Sequence, residues 1–441
     1  MVTSIMWELH NNTSLLFLLI GWVLGMMMGI ILSPKIRKVI RLLKVWTRRY
    51  VGVTIYNLAR LFPRDNKLIV FGAENGGGYR GNPKYLFLHM NTDSRFRCIW
   101  VLKKKDVVES LQNEGIEAYH YHSLKGIYYQ LRARTFIHSH SIHDDFNRYL
   151  LGGATSINTW HGVGLKKVWG ANKNTFTYKA LHDKRPLIRF IKSPVVKTQV
   201  AKENYVISTS DAVSSYYPET FLTSADNVLP LGQARNDVFY INSNEDEAVP
   251  SWIKENKVIT YMPTHRRFGK LDADLSVIMD LEELDQFCEE YGYKFVIKRH
   301  MYSRGEIPTL RHVHDVSQEG IDPQMLLKYT DILVTDYSSC YTDYLLLDRP
   351  VLFFCYDLEV YLQQSNEMYF DYFEVTPGSR PTTFAAFMQS LIEIAEGNDP
   401  MQSERARVRD IFYSHENQMP VAQKQVTYFY NHIWNVSPPQ K

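Results

Sequence analysis

Cysteine is scarce and scattered in this sequence: Cys98, Cys288, Cys340 and Cys355 are all there are, and no two stand in a C-x-x-C spacing. That pattern excludes a disulfide framework and a cysteine zinc site, and leaves reduced, mostly buried thiols such as a cytoplasmic body carries. Internal repeats and low-complexity tracts are missing too, which excludes solenoids and long disordered segments. An excess of one charge is also lacking, since 50 Lys and Arg face 47 Asp and Glu for a formal net charge of +3. A protein coated for nucleic acid needs a basic face across its folded part, so nucleic acid is not an expected partner.

What is present is enough for large cores. The chain has 441 residues, 45% of them hydrophobic and 13% aromatic, which suits two domains and an additional segment. The additional segment is N-terminal. Residues 15–32, LLFLLIGWVLGMMMGIIL, hold no charge, and that length predicts a transmembrane helix over 15–33. Glu8 and His10 precede it where a signal peptide would be basic. Lys35, Arg37, Lys38, Arg41, Lys44, Arg48 and Arg49 follow without an acidic residue among them. The positive-inside rule therefore puts the tail 1–14 outside and the body in the cytoplasm, as a single-pass protein of the inner membrane. Ile36, Val39, Ile40, Leu43 and Trp46 recur at helical spacing among those cations, predicting that 34–62 is a basic helix and linker on anionic lipid headgroups.

Beyond Pro63, β-rich runs alternate with helix-length segments, the pattern of parallel sheets with crossover helices. Expected strands are 67–72, 98–102, 135–139, 156–159 and 205–209, then 257–261, 294–298, 332–335 and 351–354. The polar stretch 242–250, NSNEDEAVP, reads as a linker between domains at 63–241 and 251–441. The fold class is thus α/β, two Rossmann-like domains facing a cleft.

Ligands of such sheets bind beyond the carboxyl ends of the strands. In the second half three of those ends run into Pro263-Thr264-His265-Arg266-Arg267, into Arg299-His300, and into Asp336-Tyr337-Ser338-Ser339. The last turn leads into an apolar helix-length run, 341–347, so Ser338 or Ser339 is the expected N-cap. A helix start binds phosphate through its free N–H groups and dipole, although capping alone explains a serine there. Arg266, Arg267 and Arg299 suit a diphosphate held by bidentate contacts, and His300 suits a proton donor to a leaving phosphate or a loop hydrogen bond. In the first half the strand 156–159 ends in Trp160-His161-Gly162-Val163-Gly164. Glycines around it leave His161 uncovered by neighbouring side chains, and a neutral imidazole is matched to taking a proton from an attacking hydroxyl near pH 7.

These elements together resemble one family. Trp160-His161-Gly162 with Leu165-Lys166, Gly232-x-x-Arg235-Asn236-Asp237, Pro263-Thr264-x-Arg266, Lys298-x-His300, Thr335-Asp336-Tyr337-Ser338-Ser339 with Asp343-Tyr344, Arg349-Pro350 and Asp357-Leu358-Glu359-x-Tyr361 occur in the order found in CDP-glycerol:poly(glycerophosphate) glycerophosphotransferases. That family includes the teichoic-acid primases and polymerases. The resemblance implies a GT-B-type fold and transfer of a polyol phosphate from CDP-glycerol or a related CDP-polyol to a hydroxyl of a membrane-associated surface polymer, a lipid-linked or polymeric polyol phosphate or glycan, with release of CMP. It implies His161 as base and His300 as its catalytic counterpart. Arg266, Arg267, Lys298, Arg299, Thr335, Asp336, Ser338 and Ser339 are expected near the donor phosphates. Trp160, Gly162, Lys166, Arg235, Asn236 and Asp237 are expected on the acceptor side of the cleft. No metal and no cofactor beyond the donor is required.

Three other readings compete. A sugar-nucleotide glycosyltransferase of the same fold, in capsule or lipopolysaccharide synthesis, would use similar loops with another donor. A metal-dependent transferase would need Asp272-Ala273-Asp274 as ligands, where a solvated turn is the simpler account. An inactive membrane-bound scaffold would bind polymer without a complete set of cleft groups.

Overall fold

Short apolar runs rich in Val, Ile and Phe, buried on both faces, form central parallel strands wherever helices cover both sides of a sheet. Such runs account for the architecture of the computed structural model, which describes residues 21–22, 34–242, 244–264, 275–299, 307–364 and 367–437. The first sheet comprises β1 (Asp65–Gly72), β2 (Arg97–Leu102), β3 (Ala118–His120), β4 (Ala133–His138), β5 (Thr155–Asn158), β6 (Glu203–Ser208) and β7 (Val228–Pro230). The second comprises β8 (Lys257–Tyr261), β9 (Tyr293–Ile297), β10 (Val313–Asp315), β11 (Ile332–Thr335) and β12 (Val351–Phe353). All pairings are parallel, in the orders β3-β2-β1-β4-β5-β6-β7 and β10-β9-β8-β11-β12. Strand order thus reverses between β1 and β4 and between β8 and β11, and such reversals open the crevices where ligands of these sheets bind.

The expected α/β architecture of two Rossmann-like units is what forms. Each expected strand is present, and β3, β7 and β10 are additions. Those three lie at sheet edges and are three residues long each, too short to stand out as hydrophobic runs. The expected helix over 341–347 is broken: an α-helix covers Cys340–Tyr344 and a tighter turn Leu345–Leu347. Asp348 ends it in the left-handed region, at φ 50°.

The two units share hydrophobic cores. Leu102, Ile137 and Val258 belong to one cluster with Met325 and Phe429, and Trp160, Leu165 and Phe221 to another with Tyr337, Tyr341 and Tyr413. Residues 422–437, which follow the second sheet in sequence, pack on the first unit: Tyr430 donates its hydroxyl hydrogen bond to Asp93 at 2.5 Å and Trp434 Nε1 donates to Thr135 at 3.0 Å.

The helix Pro34–Ala59 lies against the first unit through Arg49, stacked 3.9 Å over the Phe176 ring, and through Tyr50, which donates to the Ile191 carbonyl at 2.6 Å. Its Val39, Leu42, Leu43 and Val45 are exposed. The expected transmembrane segment 15–33 falls outside the described residues except for Gly21 and Trp22. Among the described residues no helix is long and apolar enough to cross a membrane.

Candidate functional site

The carboxyl ends of both sheets face one cleft, and the turn after β5 carries a tightly constrained backbone. Trp160 adopts φ 52°, a left-handed conformation that an aromatic residue takes only when its surroundings impose it. Asn158 Oδ1 accepts from the Trp160 N–H at 2.9 Å, and Asn82 Nδ2 donates to the carbonyls of Thr159 and Trp160 at 3.2 and 2.9 Å. Gln233 Oε1 accepts from the Gly162 N–H at 3.1 Å. Gly162 itself sits at φ 123°, and a Cβ there would lie 2.8 Å from Arg235 Nη2, so only glycine fits.

His161 is thereby held with its ring half-buried. Its Nδ1 lies 2.9 Å from the Ser139 carbonyl; a carbonyl only accepts, so Nδ1 carries the proton and Nε2 offers a lone pair. His161 is not uncovered by its neighbours, as the flanking glycines suggested. The His140 ring stacks on it at 4.1 Å and 15°, and the Trp160 ring lies 4.0 Å away. Burial, and then the His140 ring, push its pKa down to about 3, so it is neutral at pH 7. His140 is lowered to about 4, again by burial first.

Behind this turn sits Asp145, fully buried. Its Oδ2 accepts from the N–H groups of Ser139 and His140 at 3.3 and 2.9 Å, and its Oδ1 from Gly76 at 3.2 Å. Burial raises this carboxyl to about 7 against those hydrogen bonds.

Of the residues expected on the acceptor side, Arg235 reaches the centre. Its guanidinium packs on Gly162 and pairs with Asp343 of the second unit. Asn236 and Asp237 do not line the cleft. Asn236 is buried and donates to Asp343 Oδ1 at 3.1 Å. Asp237 accepts from the N–H groups of Val421 and Ala422 at 2.7 and 2.9 Å, fixing the start of the helix Ala422–Tyr428 because unpaired N–H groups there need an acceptor. Lys166 reaches across to the Tyr361 hydroxyl, and its backbone bridges Met368.

In the second unit the turn after β11 divides likewise. Thr335 donates to the Met262 carbonyl at 2.7 Å, and Asp336 Oδ1 accepts from Thr264 N–H at 2.8 Å and Tyr337 N–H at 2.5 Å. Both are buried and tie the ends of β8 and β11 together across the strand reversal, so at the turn where the donor phosphates are expected these two side chains already have partners within the protein. Ser338 and Ser339 are half-buried at the head of the short helix; Ser339 stands at the N-cap without a side-chain capping bond, and Ser338 Oγ accepts from Cys340 N–H at 3.4 Å. Arg299 pairs with Asp315 at 2.6 Å, while Lys298 Nζ lies 3.4 Å from the Val316 carbonyl. Burial, then the Arg80 charge from the first unit, lowers the Lys298 pKa. Arg266, Arg267, His300 and Asp272-Ala273-Asp274 lie outside the described residues. Among the described residues no group of three His, Cys, Asp or Glu side chains gathers to hold a metal ion.

Asn82, Ser139, His140, Asp145 and Gln233, and with them Gln324 and Tyr413, which both donate to Asp343, were missed from the sequence. Most act over separations of tens to hundreds of residues, for which no local signal exists. The run Gly76-Gly77-Gly78 did carry one, because a glycine-rich turn from a first strand into a helix is a phosphate-loop pattern.

Two facing parallel sheets with a histidine held at the end of β5 have a GT-B-like architecture. The chain belongs to the CDP-Glycerol:Poly(glycerophosphate) glycerophosphotransferase family, whose sequence profile matches residues 54–426. It is 28% identical to a teichoic acid glycerol-phosphate transferase of Staphylococcus aureus, over 82% of this chain and 91% of that one. It is 26% identical to a teichoic acid poly(glycerol phosphate) polymerase of Bacillus spizizenii, over 74% and 82%. Its fold matches that of the wall teichoic acid polymerase TagF, with a TM-score of 0.70 and 24% identity over 90% of this chain and 97% of that one.

Proposed function

We propose that this protein transfers glycerol phosphate, or a related polyol phosphate, from a CDP-linked donor to a hydroxyl of a polyol-phosphate acceptor and releases CMP. The observation that carries this reading is His161 Nε2, whose lone pair the Nδ1 contact to Ser139 leaves available, set in the cleft of a chain of this family. As the hydroxyl attacks phosphorus, Nε2 takes its proton. Negative charge on bound phosphates lifts the basicity of an imidazole that burial depresses. Arg235, already adjacent, carries a fixed positive charge for the transition state. Ser338 and Ser339 at the opposite rim suit the donor phosphates, and His300 and Arg266 are assigned there from the sequence. No metal or further cofactor enters this scheme.

The polyol is either glycerol or ribitol, since relatives of both kinds are similar to this chain: a ribitol-phosphate primase of Bacillus spizizenii is 28% identical over 51% of it. Attachment at the inner membrane face, by a helix at 15–33 and the basic helix after it, rests on the sequence and on the exposed Leu42 and Leu43 among the basic residues of that second helix. Deleting residues 1–34 tests it, because release from membranes is the expected result and retention would overturn the anchor. For the reaction, the protein is incubated with CDP-glycerol, CDP-ribitol and UDP-sugars beside a phosphorylated acceptor. CMP release is expected; UDP release without CMP would sink the reading in favour of a glycosyltransferase.

A further inference from the structure

One buried acid has no part in the reaction as written above, yet it touches the peptide that holds the base. Asp145 closes the short helix Ile142–Asp145 that follows β4. Its carboxylate accepts from the Gly76 N–H of the loop after β1 and from the Ser139 and His140 N–H groups of the turn after β4. The side chain therefore ties together the two strand ends that flank the reversal of the first sheet.

The His140 N–H and the Ser139 carbonyl are the two ends of one planar peptide group. At one end the N–H donates to Asp145 Oδ2 at 2.9 Å, and at the other the carbonyl accepts from His161 Nδ1 at 2.9 Å. Carboxylate and imidazole are thus joined through a single peptide. Hydrogen bonds linked in this way polarise one another: negative charge at the N–H shifts electron density toward the carbonyl oxygen and makes it the stronger acceptor. The same anchor sets the neighbouring ring. His140 stacks on His161 at 4.1 Å, and its Nδ1 lies 3.0 Å from Ser139 Oγ.

Holding the backbone does not by itself call for an acid here. Neutral side-chain oxygens satisfy N–H groups too, whereas an ionised carboxylate loses its solvation on burial. The groups around Asp145 leave its charge unpaired. His138 Nδ1, from β4, is 3.8 Å from Oδ2, but burial keeps that ring neutral, with its pKa lowered to about 3. On its own helix Asp144 is a like charge, and His143 lies 3.4 Å from Asp144. Lys103, from beyond β2, donates to the Asp144 carbonyl, and the residue leading the loop after β1 is a further acid, Glu74, whose N–H lies 3.4 Å from Ser139 Oγ.

We propose that Asp145 is a positioning residue for His161, acting through the 139–140 peptide. Its carboxylate makes the Ser139 carbonyl hold the Nδ1 proton more firmly and steadies the positive charge that the ring gains when Nε2 takes the proton of the acceptor hydroxyl. The Nδ1 proton stays where it is, and Asp145 neither gains nor loses one.

This rests on His161 being the base of the reaction proposed above. The test uses the full chain and Asp145→Asn, which keeps the size of the side chain and removes its charge. Turnover at saturating substrates should fall about ten- to a hundredfold, the scale of losing a partner that orients a functional histidine, while the KM for CDP-glycerol stays near wild type. The second readout is the ring nitrogen chemical shifts of His161, assigned by their absence in His161→Gln. In the wild type they should show the proton on Nδ1 and should move as pH is raised through about 7, where Asp145 ionises and His138 and His140 do not. In Asp145→Asn that movement should vanish. Unchanged turnover in the variant overturns the proposal, as does a KM for CDP-glycerol that rises in step with the loss, the mark of a cleft that has lost its shape. Shifts that stay fixed in the wild type overturn it as well, and they decide alone if the variant does not fold. If the wild type releases no CMP yet its His161 shifts follow Asp145, the reaction fails and the coupling stands.

Discussion

Arg235 of the first unit and Asp343 of the second form a buried ion pair whose guanidinium packs on Gly162 of the His161 turn. The Asp343 carboxylate is fully buried and also receives Asn236 Nδ2 at 3.1 Å, Gln324 Nε2 at 3.0 Å and the Tyr413 hydroxyl. Four partners thus meet on one acidic group. Burial lowers the Arg235 pKa, Asp343 raises it, and the net direction is upward, so the guanidinium stays charged.

Removing that carboxylate strands a buried cation between the units. Asp343→Ala is expected to cost about 3 kcal/mol of stability, measured by urea unfolding, because one partner of a buried pair is left uncompensated. Tyr413→Phe, which deletes only one hydroxyl, should cost about 1 kcal/mol. Equal effects of the two would mean that the ion pair is not what joins the units.

His161→Ala should abolish CMP release while CDP-glycerol still binds, since the imidazole is placed on the acceptor side. Ser338→Ala and His300→Ala should instead raise the KM for the donor. Wild-type turnover in His161→Ala together with an unchanged donor KM in the other two removes the proposed site.

Gly162→Ala forces a side chain onto backbone at φ 123° and toward Arg235 Nη2. A loss of roughly 1–3 kcal/mol is expected from the strain, together with most of the transfer activity. Gly164→Ala should be milder, because its φ is not in the left-handed region and the nearest atom to an added Cβ is 3.4 Å away. Thermal unfolding and initial rates of the two variants decide this.

The buried titratable groups set opposing pH slopes. Asp145 is raised to about 7 from an unfolded value near 3.9. The native state therefore holds its proton where the unfolded state does not, and this group's effect is to lower stability as pH rises from about 4 to 7. His138, His140 and His161 are depressed to about 3, 4 and 3, chiefly by burial, and each costs stability as pH falls through the unfolded value near 6.5. Asp145→Asn should therefore gain stability relative to wild type as pH climbs from 4 to 8, whereas His161→Gln should gain relative to wild type as pH falls from 7 to 4. Urea midpoints across that range give the result, and parallel curves for variant and wild type would contradict it.

Much of this protein was legible in its order of residues. Runs such as 257–261 and 332–335 are short, apolar and bounded by turn chemistry, so burial on both faces leaves a parallel strand as their outcome, and the ends of those strands locate the cleft. His161 could be singled out because it follows such a run and precedes a glycine. The edge strands β3, β7 and β10 escaped because three residues carry no period. Side-chain direction was not legible either. Asp336, Asp237 and Asn236 stand in the motif beside residues that face the cleft, yet each turns inward to backbone N–H groups or to Asp343. Sequence fixes which groups a strand end offers, because periodicity and turn residues are local. Only the tertiary structure decides which of them remain available for substrate, because the competing partners, Asn82 and Ser139 for the His161 turn and Val421 for Asp237, arrive from distant parts of the chain.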